Sequence, residues 1–229
     1  MLSIIIPVLN EEKFLPRLLE SIRKQNYACE VIVADGGSHD QTLACARGAK
    51  CLVVKGGNPA EGRNAGARVA NGEHLLFLDA DVVLPDDFLA QSFREITKKK
   101  LEVATCRVHP LSRHYLDKLL YLIADLIIHL MQKIKPLAHG FCIFSTRAMH
   151  HRINGFDEGI TFAEDAEYVY RAAKYGRFGV INPRIGVSVR RFEKEGRLKL
   201  TLKYIYLNLR RFLGKEIRSP VPYQYGNYD

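Results

Sequence analysis

The chain has no tryptophan, and its five cysteines form no pattern. Cys29, Cys45, Cys51, Cys106 and Cys142 are odd in number and include no Cys-x-x-Cys pair. That excludes a zinc ribbon and a paired disulfide framework, and leaves free thiols in a reducing compartment. Glycine (17) and proline (9) are near average, which excludes collagen-like and low-complexity disordered chains. There is no internal repeat. The apolar stretch within 113–134 is broken by Asp117, Asp125 and His129, and is shorter than the ~20 residues of a membrane span. Met1–Pro7 has no basic flank and too short an apolar run for a signal peptide, so a cytoplasmic protein is expected.

Acidic residues are also scarce, and unevenly so. Over 229 residues, 34 Lys and Arg stand against 25 Asp and Glu, a net charge of +9. Residues 1–100 hold 13 cations and 13 anions, whereas residues 101–229 hold 21 and 12. Within 184–218 there are 11 cations against Glu193, Glu195 and Glu216. Such an excess points to an anionic partner: nucleic acid, a membrane surface or a phosphorylated small molecule. No aromatic platform or nucleic-acid motif accompanies the charge, so no nucleic acid is expected. At 47% hydrophobic residues the chain can form a sizeable core.

Strand-like and helix-like segments alternate through the first half. Ser3–Ile6, Val31–Ala34, Cys51–Val54 and Leu75–Leu78 read as buried strands. Phe14, Leu15, Leu18, Leu19 and Ile22 recur at helical spacing, and residues 60–70 read as a small-residue helix. Ser38 and Gln41 match a capping box. This order predicts an α/β fold with a mostly parallel central sheet flanked by helices. Further on, Val103–Cys106, Phe141–Ser145 and Phe178–Ile181 read as strands, and 113–134, 164–175 and 197–213 as helices, the last with Gly214 as C-cap. Packing of the 113–134 helix on the core is preferred to an interfacial placement.

Ligands of parallel sheets bind beyond the carboxyl ends of the strands. Asn10-Glu11-Glu12, Asp35-Gly36-Gly37 and Asp79-Ala80-Asp81 all follow strands, so they should face one crevice. Two carboxylates at i and i+2 can share a face and hold a hard divalent cation beside phosphate oxygens, although a solvated turn uses the same residues. Asp35 suits a base or ribose, or equally a simple turn. Arg63 suits a phosphate, or a surface helix. Glu164-Asp165 at a helix start suits a general base, or N-terminal capping. The first strand lacks Gly-x-Gly-x-x-Gly after it, against a dinucleotide site or a P-loop.

In this order, Ile4–Glu12, Val31–Thr42, Gly62–Gly66, Leu76–Asp81, Gly140–Phe144, Gly155–Asp157 and Glu164-Asp165 resemble the family 2 glycosyltransferases of GT-A fold. The resemblance covers about residues 2–192. It implies a single catalytic domain over 1–218, with a nucleotide-sugar-binding half (1–106), an acceptor half (107–192) and a basic amphipathic helix region (193–218). Residues 219–229 would be a loose tail. It also implies that Asp35, Pro7 and Glu11 line the nucleotide pocket with Arg63 nearby, that Asp81 ligates Mg2+ or Mn2+ with Asp79 beside it and nearer the ribose, and that Asp165 is the catalytic base. Arg190 and Arg191 fall where an arginine clamp on the diphosphate would sit. The family's Gln-x-x-Arg-Trp motif is missing, against polymer synthesis, and no histidine follows His151 to serve as a distal metal ligand.

The expected activity is therefore metal-dependent, inverting, hexosyltransferase-like transfer from a nucleotide-diphosphate sugar to a hydroxyl or phosphate acceptor, lipid-linked or phosphorylated. Sugar-1-phosphate nucleotidyl transfer is the alternative enzyme, but Pro7–Glu12 lacks its glycine- and arginine-rich loop. A basic module without activity, binding nucleic acid or membrane, is the alternative class. In 197–213, Leu198, Leu202, Ile205, Leu209 and Phe212 form one stripe among basic residues. It would either dock on the sheet or lie on an anionic membrane surface, making the protein peripheral to the inner face of the cell membrane.

Overall fold

A computed structural model describes residues 1–212. The first half runs β1 (Leu2–Val8), α1 (Leu15–Arg23), β2 (Cys29–Asp35), α2 (Thr42–Gly48), β3 (Leu52–Lys55), α3 (Pro59–Val69) and β4 (His74–Leu78). Then come β5 (Val82–Val83), α4 (Phe88–Lys99), β6 (Val103–Pro110), α5 (Tyr115–Met131), β7 (Cys142–Thr146) and α6 (Arg147–Arg152). Finally α7 (Glu164–Ala172) leads to β8 (Phe178–Val187), α8 (Arg190–Glu195) and α9 (Arg197–Phe212).

The strands form one sheet in the order β3-β2-β1-β4-β7-β6-β8-β5. Neighbours are parallel from β3 through β4 and between β6 and β8. β7 is antiparallel to both β4 and β6, and β5 to β8. The sheet is thus α/β and mostly parallel, as the alternation of elements predicts. The β7 insertion is invisible in a one-dimensional pattern, because a buried strand reads alike in either direction.

β1 is buried throughout, since helices cover both its faces. Leu2, Ile4, Ile6 and Val8 meet Leu15, Leu18, Phe88 and Ile96 of α1 and α4 on one side. Ile5 faces the opposite core, with Ala60, Ala67, Phe77, Tyr168 and Val169 under α3 and α7. Two-residue periodicity thus divides one apolar strand between two cores.

Several local expectations are corrected. Ser38 does not cap a helix: its Oγ accepts from Asn10 N at 3.0 Å, and α2 begins at Thr42, whose N donates to Asp40 Oδ1 at 2.9 Å. The capping box belongs to α3, where Asn58 and Glu61 exchange backbone-to-side-chain bonds of 3.0 and 2.8 Å ahead of Pro59. α4 lies in a segment with no expected element, although Phe88, Leu89, Phe93 and Ile96 carry helical spacing. β6 and β8 run to Pro110 and Val187, beyond Cys106 and Ile181, because they pair with each other past their expected ends. Core packing of α5's apolar face is overturned, and so is docking of α9's stripe on the sheet: Leu126 and Leu130 of α5, and Leu198 and Leu202 of α9, are exposed. Gly214 and the tail lie outside the described residues.

His150 is buried among Phe77, Phe156 and Tyr168, with Nδ1 3.2 Å from Tyr168 Oη. Burial, helped by the positive charges of His151, Arg171 and Arg68, lowers its pKa from 6.5 to about 4. The unfolded chain therefore binds a proton near pH 6.5 that the folded chain refuses until about pH 4. Stability from this group is complete above pH 6.5 and falls with pH through that window, by about 3 kcal/mol in all. In His150→Phe, the fall in melting temperature from pH 7 to pH 4 should be shallower than in the parent. Parallel curves would show that His150 is not the group responsible.

Candidate active site

Because β1, β2 and β4 are parallel, their carboxyl ends open on one edge of the sheet. The loops after β1 and β2 are laced together there. Glu11 N donates to Thr42 Oγ1 (2.7 Å), Glu12 N to Asp40 Oδ2 (3.1 Å), His39 N to Asn10 Oδ1 (2.9 Å) and Gln41 N to Glu12 Oε2 (2.9 Å). Thus Ser38, Asp40 and Thr42 position the loop that carries Glu11. Asp35 folds back on its own turn, accepting from Gly37 N and Ser38 N at 3.1–3.2 Å. Pro7 is buried in β1 against Gly62, where an added Cβ would stand 3.0 Å from Pro7 Cβ.

The opposite wall is brought in by the far edge of the sheet. β5 pairs with the end of β8, Val82 opposite Val187, and Ser188 N donates to Asp81 O at 3.1 Å. This register delivers Arg190 to the crevice although it lies 109 residues from Asp81. Its guanidinium forms a fork: Nη1 and Nη2 donate to the two oxygens of Glu11 at 2.8 and 2.7 Å, and Nε to Asp81 Oδ2 at 2.8 Å. The ring of Phe14 lies 4.4 Å beneath it. Burial pushes the Glu11 carboxyl up to about 7, against the opposing pull of Arg190 and with help from Asp81 and Asp79. Burial also opposes the Arg190 charge, but Glu11 and Asp81 outweigh it and hold the guanidinium protonated. Arg191 takes a different direction, with Nη1 3.3 Å from Tyr204 Oη.

A second guanidinium lies deeper. Arg63 of α3 is 2% exposed. It donates to Asp79 Oδ1 (2.9 Å), Glu164 Oε1 (2.6 Å) and the Gly140 carbonyl (3.4 Å), with Phe156 5.3 Å away. Its Nε is buried with no hydrogen-bond partner. Burial disfavours its charge, yet Glu164, Asp79 and Asp165 together raise its pKa. Asp79, between the two arginine systems, is pushed up by burial and by Asp81 and Glu164, while Arg63 and Arg191 pull it down. Next to Arg63, Asn64 seals the joint: Nδ2 donates to the Phe156 carbonyl, and Oδ1 accepts from Phe156 N, each at 2.9 Å.

Asp165 stands in the first turn of α7, where the helix dipole favours a carboxylate. A Cβ at Gly140 would come within 2.7 Å of its Oδ2, so only glycine admits the carboxylate this close. The candidate residues therefore form two ion-paired sets, Arg63 with Asp79 and Arg190 with Glu11 and Asp81, coupled by the repulsion between Asp79 and Asp81, and Asp165 lies in the field of Arg63. In the sequence Glu164 reads only as a helix-start acid beside Asp165; its pairing with Arg63, and the place of Phe14 beneath Arg190, were not foreseeable. The adjacency of Glu164 to Asp165 was the only signal.

Among the described residues, no three His, Cys, Asp or Glu side chains are grouped to hold a metal unaided. The donors at hand are carboxylate oxygens, and the Arg190 guanidinium occupies one oxygen of Asp81 as a resident cation would. One or two carboxylates, completed by phosphate oxygens and water, suit Mg2+ or Mn2+. The residues fit such an ion if Arg190 yields Asp81 to it.

Removing the buried cation leaves two carboxylates uncompensated. Arg63→Met should lose about 3 kcal/mol or more of stability in denaturant unfolding, and adding Glu164→Gln should restore part of it. Additive losses in the double variant would contradict a coupled pair.

Known proteins similar to this chain are glycosyltransferases. The sequence profile of "Glycosyl transferase family 2" matches residues 3–155. The chain is 41% identical over 95 residues to 4,4'-diaponeurosporenoate glycosyltransferase of Staphylococcus haemolyticus, a match covering 38% of this chain and 25% of that protein. Its fold resembles the mannosyltransferase PcManGT from Pyrobaculum calidifontis, solved with GDP-Man and Mn2+ (TM-score 0.68, 21% identity, 90% of this chain and 64% of that one). It also resembles glucosyl-3-phosphoglycerate synthase from Mycobacterium tuberculosis, solved with Mn2+, UDP and phosphoglyceric acid (TM-score 0.66, 14% identity, 94% of this chain and 78% of that one). The architecture is that of the GT-A glycosyltransferases. With two thirds of its length matched in order, the chain belongs to glycosyl transferase family 2.

Proposed function

We propose that this glycosyltransferase moves a sugar from a nucleoside-diphosphate sugar to an acceptor hydroxyl or phosphate, with inversion and with Mg2+ or Mn2+, one sugar per encounter. The observation that carries this reading is the fork of Arg190 across Glu11 and Asp81. Two carboxylates sharing one guanidinium at the end of a parallel sheet form a site that can exchange one cation for another. The nucleotide complexes of PcManGT and of the mycobacterial synthase support a donor of this class.

In this reading Asp35 and the Pro7–Glu11 loop receive the nucleoside, and Asp79, held by Arg63, faces the ribose. Asp81, with Asp79 beside it, would hold Mg2+ or Mn2+, which when bound would supply positive charge for the departing diphosphate. Arg190, displaced from Asp81, turns with Arg191 toward the same phosphates, where a bidentate guanidinium is well matched. Asp165 accepts the acceptor's proton as its oxygen bonds the anomeric carbon. The carbon–oxygen bond to the diphosphate breaks, and its electron pair leaves with the diphosphate. A phosphorylated or lipid-linked acceptor accords with the cationic second half of the chain. Reaction on the inner face of the cell membrane is the corresponding location. No helix among the described residues is long and apolar enough to cross a membrane. Nucleic acid has no role.

Nucleotide-sugars screened by thermal shift with and without Mn2+ should identify the donor as the one that raises the melting temperature by mass action. With that donor, Asp165→Asn should lower kcat by about 100-fold or more while leaving donor binding intact. Asp81→Ala should abolish the Mn2+-dependent part of the shift. Unchanged sugar transfer in both variants would overturn the reading.

A further inference from the structure

Helices α5 and α9 are turned inside out. In α5 the buried residues are Asp117, Asp125 and Ile128, while Tyr115, Leu119, Leu122, Ile123, Leu126, Ile127 and Leu130 are exposed. These recur at i, i+4, i+7, i+8, i+11, i+12 and i+15, a single stripe about 22 Å long. In α9, Leu200 and Leu207 are buried, whereas Leu198, Leu202, Ile205, Tyr206 and Leu209 form the outer stripe. Leu130 is 62% exposed and Leu198 72%. Isolated exposed leucines are ordinary, but two adjacent helices with their large aliphatic side chains outward are not.

The inward polar groups hold this inversion in place. Arg197 of α9 binds both oxygens of Asp117 at 2.7 and 3.0 Å, and Ser112 donates to the same carboxylate at 2.6 Å. Arg107 of β6 donates to Asp125 at 2.7 Å. The helices therefore present their outer faces because their inner faces are committed to buried ion pairs and to a small apolar contact of Leu200 with Leu120, Tyr121, Phe192 and Val189.

Charge selects the partner. Between 113 and 135 the only carboxylates are those two inward aspartates, and 197–210 contains none. Arg113, Lys118, Lys133, Lys199 and Arg210 are exposed. By helical spacing Lys199 and Arg210 adjoin the α9 stripe, and Lys118 flanks that of α5. A second copy placed across this face would set these cations against one another, with no exposed carboxylate on α5 or α9 to answer them. Free phosphates or nucleic acid would leave the aliphatic stripes in water. An anionic bilayer satisfies both demands, taking the leucines among its acyl chains and the cations at its headgroups.

We propose that α5 and α9 together dock the protein on an anionic lipid bilayer by shallow insertion of these stripes. The inference goes beyond the transfer reaction and does not depend on it. Its consequence is positional, because the same helices support the segment that carries Arg190. Tyr121 Oη donates to the Ser188 carbonyl at 3.4 Å, and Tyr204 Oη meets Arg191 at 3.3 Å. Docking would bring the acceptor side of the crevice to the lipid surface.

The test is flotation of the full chain with vesicles of phosphatidylglycerol in phosphatidylcholine, against phosphatidylcholine alone. Co-flotation with the anionic vesicles is expected, weakened by salt. Leu122→Ser, Leu126→Ser, Leu202→Ser and Leu209→Ser combined should reduce partitioning by about tenfold or more with no loss of melting temperature, since every site is exposed. Lack of flotation with anionic vesicles, or equal flotation of the variant, would overturn the proposal. So would a concentration-dependent dimer that the same substitutions dissolve, because the face would then belong to a second copy.

Discussion

A guanidinium withdrawn from water is tolerated only where carboxylates surround it, and Arg63 organises the molecule on that condition. Its partners come from three places in the chain: Asp79 after β4, Glu164 at the start of α7, and the Gly140 carbonyl before β7. The segment after β4 and the start of α7 are therefore fastened at one charged point. Small residues make the approach possible. Gly62 lets α3 sit on Pro7, and Gly140 lets Asp165 reach the same region. Asp79 is held by this joint and by its own backbone bond to the Phe141 carbonyl.

Arg190 is the second, more superficial counterpart. It is buried enough to bind strongly, yet it lies at the open edge and is carried by a short helix rather than the core. Burial raises the Glu11 carboxyl to about 7, and this guanidinium opposes the rise. A donor diphosphate with its metal brings charges of both signs to that pair, and so offers partners to both halves when they separate. Arg190 offsets one of the two carboxylate charges it spans, which lowers the cost of burying them.

Much of this was legible beforehand for a physical reason. Strands buried on both faces announce themselves as apolar runs, and the carboxyl-end rule then places Glu11, Asp35, Asp79 and Asp81 on one edge without any coordinates. Arg190 was legible only through family resemblance, since its arrival depends on the β5–β8 pairing of two strands about a hundred residues apart. The choice between Glu164 and Asp165 as the partner of Arg63 was not legible, because neighbouring helix-start acids differ only in direction. The stripes of α5 and α9 were visible as amphipathic patterns, but periodicity does not say which side faces in. Buried ion pairs at Asp117 and Asp125 reverse the usual answer, and those pairs are tertiary.

In the proposed mechanism Asp81 exchanges a guanidinium for a metal when the donor binds. The most direct measurement is a crystal structure of the chain with Mn2+ and the nucleoside diphosphate of its donor, read at the Arg190 Nε to Asp81 Oδ2 distance, now 2.8 Å. The account predicts that this contact is broken, with Mn2+ on Asp81 and the Arg190 guanidinium on diphosphate oxygens. An intact Arg190–Asp81 pair beside a bound nucleotide, with the metal elsewhere or absent, would contradict it.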